Sequence, residues 1–127
     1  MERVDRWGWL RPVVLVGLAY LVIGFGFAQL AGRGWRLAAW GVSGLVYMLH
    51  IRYETKRDRT AAAAAFHAGL AAALGGFGLA VAATIHALTT ATYRGTYGVA
   101  LAAWPLLTGL PAFVVAWLIV SLVARRG

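Results

Sequence analysis

The chain has 127 residues, of which 61% are hydrophobic and 13% charged, with a mean hydropathy of +0.73 and a formal charge of +8. The charged share is about half of the roughly 25% usual in soluble domains, which excludes a water-soluble globular fold, and the apolar content excludes a disordered chain. With no cysteine, disulfide frameworks, thiolate metal sites and thiol redox chemistry are excluded as well.

The charges are gathered into islands. Between them lie four uncharged runs, 12–32, 37–51, 60–93 and 95–124, of 21, 15, 34 and 30 residues, together 100 of the 127. A helix that crosses a bilayer needs roughly 20 apolar residues. The pattern therefore predicts an all-α integral membrane protein, a four-helix transmembrane bundle in a single domain, with helices over about 12–31, 35–54, 60–89 and 97–123. The third run is too short for two spans and a turn. Nine Lys and Arg residues fall on the side of the two termini and the second loop, and three on the other. By the positive-inside rule both termini are cytoplasmic. Eleven Arg to one Lys, with abundant Ala and Gly, has the composition of a GC-rich bacterial gene, which places the expected protein in an inner membrane as a multi-pass protein.

The first helix is expected to start at Pro12, where a missing N–H costs nothing. Its 21-residue run is long for a signal-peptide core, so it reads as a retained span. It carries Gly17, Gly24 and Gly26, with Tyr20 and Gln29 as polar members. The second run needs residues from both flanks to span, which draws His50, Arg52, Tyr53 and Glu54 onto the end of that helix. Ser43, Tyr47, His50 and Glu54 are spaced i, i+4, i+7, i+11 and share one face. With Arg52, the bases that follow and His67 at the start of the third helix, they define a candidate cytoplasmic corner for an anion, a lipid headgroup or a metal. Polar residues at span ends are routinely solvated by headgroups, and that plainer reading is preferred.

Thr60 is positioned to cap the third helix. Along that helix Ala68, Ala72, Gly76, Ala80 and Thr84 recur every four residues, a ladder of small side chains suited to close helix packing. His67 and His86 stand 19 residues apart and cannot share a ligand. A bis-histidine haem would have to use His50 and His67 from facing helices, whose depths match only roughly; no cofactor is expected. His86, Thr90 and Tyr93 read as a helix end leaving the lipid. In the fourth helix Pro105, Thr108, Gly109 and Pro111 predict a kink or local break, with freed carbonyls that a solute can use.

No acid or base lies at the centre of any run, where proton- and cation-coupled transporters usually keep one. HExxH, GxSxG and phosphate-binding glycine loops are absent, so nothing argues positively for an enzyme. The bases are spread over both sides and make no nucleic-acid surface. The expected function is transport or conduction of a small solute by an oligomer. The alternatives are a non-catalytic subunit or scaffold of a larger membrane complex, and a lipid-headgroup binder or enzyme built on the cytoplasmic corner. Membrane lipid and further copies of the chain, or a larger complex, are the expected partners.

Overall fold

A computed structural model describes residues 7–30, 32–57 and 59–126. The expected helix end at Ala31, Asp58 and the charged stretch 1–6 lie outside the described residues. Four helices follow in order: α1 (Leu10–Ala28), α2 (Arg33–Thr55), α3 (Ala61–Thr89) and α4 (Thr96–Ala124). Among the described residues there is no strand. Three helices, α1, α3 and α4, are long and apolar enough to cross a membrane. The second has 23 residues but is not of that kind. Its uncharged stretch is bounded by Arg36 and Arg52.

Local chemistry sets the helix ends. Thr60 sits in extended geometry, and its Oγ1 accepts the Ala63 N–H at 3.2 Å, opening α3. Pro12 falls in the first turn of α1, where it displaces no helical hydrogen bond. Between α1 and α2 the backbone at Gly32 takes φ 119°, a conformation open to glycine and closed to residues with a Cβ.

The central element is α3, which packs on α1 along one face and on α4 along another. Its sequence makes this possible because it is small on both faces. Toward α4, a Cβ on Gly69 would come within 2.9 Å of the Phe113 Cβ and 3.0 Å of the Gly109 carbonyl oxygen. Gly109 returns the contact, with the Gly69 carbonyl at 3.0 Å from its own would-be Cβ. Gly76 is closed off by Thr108 and by the Trp104 carbonyl at 3.2 Å. Toward α1, Gly75 is filled by Tyr20 and Gly78 by Leu21. Contacts that pair higher numbers on α1 with higher numbers on α3 make those two helices parallel. The reverse order makes α3 and α4 antiparallel. The bundle is thus up and down.

The fourth helix does not show the local break that its prolines allow. It runs unbroken through Pro105 and Pro111. Each proline removes one helical donor and leaves the carbonyl four residues earlier, on Leu101 and Leu107, without its usual partner. Close packing against α3 keeps the helix continuous across both positions, and Thr108 adds a hydroxyl within reach of the Trp104 carbonyl at 2.8 Å and the Ala72 carbonyl of α3 at 3.2 Å.

By contrast, α2 meets α3 and α4 sparsely. One end lies against α1, where Phe27 and Trp35 rings are 6.2 Å apart. At the other end Ile51 joins Ala64, Ala65, Ala68, Ala116 and Val120 in a small buried core.

Candidate functional site

The middle of α2 stands off from the other helices and leaves a cavity of 640 Å³ with walls from all four. That volume lies within the roughly 300–1,000 Å³ typical of small-molecule sites. Tyr20 and Ile23 come from α1, Ser43, Gly44 and Tyr47 from α2, Ala72 and Gly76 from α3, and Thr108, Pro111 and Val115 from α4. No charged side chain lines it, and its walls are overwhelmingly apolar. Trp40 and Leu107, also on its wall, are 81% and 65% exposed. The cavity is therefore a cleft whose mouth opens sideways between α2 and α4.

Its polar features are few and placed. The Tyr47 hydroxyl donates to the Ala112 carbonyl and ties α2 to α4 at the floor of the cleft. The Tyr20 hydroxyl is buried without a hydrogen-bond partner among the described residues. Leu107, whose carbonyl Pro111 leaves without its helical donor, is among the lining residues. A guest would meet a largely apolar surface whose hydroxyl-bearing residues are Tyr20, Ser43, Tyr47 and Thr108.

About two turns further along α2, seven residues from Tyr47, is a second constellation. Glu54 is fully buried (0% exposed) and His50 nearly so (3%). His67 Nδ1 lies 2.7 Å from Glu54 Oε2. Arg59 Nε is 3.0 Å from the same oxygen, and His50 Nε2 is 3.7 Å from Oε1. Trp9, just before α1, stacks on the His67 ring at 4.9 Å and 6°. A carboxylate survives burial only with compensating charge and hydrogen bonds; on one oxygen Arg59 supplies the charge and His67 the hydrogen bond.

The expected polar seam on α2 is thus divided. Ser43 and Tyr47 line the cleft, while His50 and Glu54 belong to the buried cluster with His67. Arg52 is exposed, its carbonyl accepting from Thr55 Oγ1, and takes no part. Burial of Glu54 and His50 corrects the expectation of headgroup-solvated side chains. Ile51 and Glu54 pack into the junction of α2 with α3, which the helix face by itself does not reveal. His50 and His67 approach different oxygens of one carboxylate. Among the described residues no group of three His, Cys, Asp or Glu is arranged to hold a metal ion.

Of the segment in α4, Thr108 and Pro111 line the cleft, and Gly109 is buried against α3. Pro105 is half-buried outside the lining. Ala68 belongs to the small core, Ala72 and Gly76 lie on the seam with α4, and Ala80 is buried. His86, Thr90 and Tyr93 are exposed at the opposite end, where Thr90 bonds back to the His86 carbonyl at 2.8 Å. The sequence reading passed over Trp9 and Tyr20 as site members, and nothing in the sequence marks either. It included Arg59 without distinction among the bases that follow Arg52, and Arg59 is the one of them in contact with Glu54. No protein-family model, no curated protein and no solved structure matches the chain.

Proposed function

We propose that the protein is a four-pass protein of a bacterial inner membrane, with both termini in the cytoplasm, that takes an uncharged, largely apolar small molecule from the bilayer into the cleft and carries it as a small transporter. α2 completes the set of crossings in this reading, with Arg33 and Arg36 at one interface and Arg52 at the other. The observation that carries the proposal is the 640 Å³ cleft, which is charge-free and opens between α2 and α4. In a membrane that mouth faces lipid, so a guest reaches it without crossing water. The apolar lining favours a carrier of apolar guests over a hydrated ion channel, because an ion would lose its water shell with nothing to replace it.

Photolabelling of the bilayer-reconstituted chain with an uncharged apolar diazirine tests it. Labels should concentrate on Tyr20, Ser43 and Thr108. Gly44→Phe fills the cleft from a position where a Cβ meets nothing within 4 Å, and it should abolish that labelling while leaving the fold intact. Labelling spread evenly over the outer helix faces and unchanged in Gly44→Phe would overturn the binding site. Vesicle flux of an apolar dye that is equal with and without the protein would overturn carriage.

A further inference from the structure

The buried cluster at the α2–α3 junction has a use that the cleft does not give it. Its two carboxylate oxygens are in opposite states. Glu54 Oε2 takes a hydrogen bond from His67 Nδ1 at 2.7 Å, and Arg59 Nε stands 3.0 Å away as an ion-pair partner whose geometry makes no hydrogen bond. Glu54 Oε1 is buried and has no hydrogen-bond partner among the described residues, and the same holds for both ring nitrogens of His50. The nearest pair across this gap, Glu54 Oε1 and His50 Nε2, is 3.7 Å apart, beyond hydrogen-bond length. Two acceptors face each other with no hydrogen between them when the carboxylate is ionised and His50 carries its proton on Nδ1.

We propose that Glu54, His50 and His67 form a proton-binding site. A single proton satisfies both orphaned acceptors: on Oε1 it lets the carboxyl donate to His50 Nε2, and on Nε2 it lets the imidazolium donate to Oε1. Loading forms one O–H or N–H bond as one O–H bond of a hydronium ion breaks, leaving water; no electrons are exchanged. Arg59, in contact with the carboxylate, has a side chain that is 25% exposed, while that of Glu54 is fully enclosed.

The surroundings leave these three groups to titrate as a unit. On α2, Tyr47 is turned to the Ala112 carbonyl, and Arg52, Lys56 and Arg57 are exposed. From α3 comes His67 alone. At the start of α1, Trp9 covers the His67 ring and Arg11 is exposed. The facing part of α4 offers Ala116 and Val120, with Arg125 and Arg126 exposed beyond its end. Arg59 is the single cation in contact with the carboxylate among the described residues. The floor of the cleft, closed by Tyr47 on Ala112, lies between this site and the guest site, so the inference stands whether or not the cleft carries anything.

The chain contains two glutamates, Glu2 and Glu54. Glu2→Gln protein grown on carboxyl-13C glutamate, reconstituted in bilayers, therefore reports Glu54 alone by infrared spectroscopy, and 15N-histidine labelling reports the imidazoles by solid-state NMR. Across a pH titration the Glu54 carboxyl band should change between ionised and protonated forms. The His50 and His67 signals should move with the same midpoints. In Glu54→Gln those histidine midpoints should shift by about one pH unit or more, as expected of coupled groups. Gly44→Phe should leave the titration unchanged. A Glu54 band fixed in one form over the whole range where the protein is folded overturns the proposal, as do histidines that titrate independently of it. The first two measurements need no change at Glu54 and hold even if Glu54→Gln fails to fold.

Discussion

Glycine behaves in opposite ways in α2 and α3. In α3, Gly69, Gly75, Gly76 and Gly78 each sit where a Cβ would collide with a neighbouring helix. In α2, Gly34, Gly41 and Gly44 have nothing within 4 Å of a would-be Cβ. The first helix is built into the bundle by its small residues, and the second uses its own to leave a space. Small residues are permissive: they allow close approach wherever a partner has a matching ridge, and they produce a gap where it has none. The partner decides which. Phe113 and Thr108 of α4 and Tyr20 of α1 fit the hollows of α3, whereas the exposed Trp40 beside Gly41 and Gly44 stands at the cleft mouth.

This contrast can be broken experimentally, most severely at the tight seam. Gly69→Leu forces a side chain against the Phe113 Cβ and the Gly109 carbonyl and should cost about 3 kcal/mol or more, read as an early unfolding transition in mixed detergent micelles. A stability equal to the parent's would show that α3 and α4 are not joined there. Glu54→Ala comes next. Loss of one member of a fully buried ion pair costs 3–5 kcal/mol, and partial exposure of Arg59 brings the expected figure to about 2–3 kcal/mol. Its effect should be confined to α2. Because the chain has no cysteine, spin labels on Leu45→Cys and Leu110→Cys, both exposed, can follow α2 against α4. An unchanged distance distribution would mean that the cluster does not dock the helix.

Tyr47→Phe removes the hydroxyl that reaches Ala112 and should cost about 0.6–1 kcal/mol, the usual worth of a hydrogen bond between membrane helices. It should also broaden the same label distances without shifting unfolding of the α3–α4 pair. The smallest effect is expected at Gly41→Ala, where open space surrounds the new methyl and the gain in helix propensity is about 0.5–1 kcal/mol. A destabilised Gly41→Ala would reveal a neighbour for α2 at that position, such as a second copy of the chain.

Much of the cluster was within reach of the sequence, since His50 and Glu54 are one turn apart and His67 opens the next helix. Their burial was not, because solvation of a residue near a helix end depends on what covers it. Here that cover is Ala64, Ala65 and Ala68, small enough to let α2 come down onto α3 at this end. The prolines of α4 were equally visible, but the continuity of the helix through them depends on α3 lying alongside.

The linear order of charged and uncharged residues determined by itself that the chain is four helices, where each begins and ends to within a few residues, and that apolar surface faces outward. These follow from local propensity and from the spacing of charged residues along the chain, and neither needs a neighbour. Which helices touch, which glycines are filled, the sideways cleft and the enclosure of Glu54 were decided by tertiary structure alone, because each depends on the shape of a surface contributed by another part of the chain.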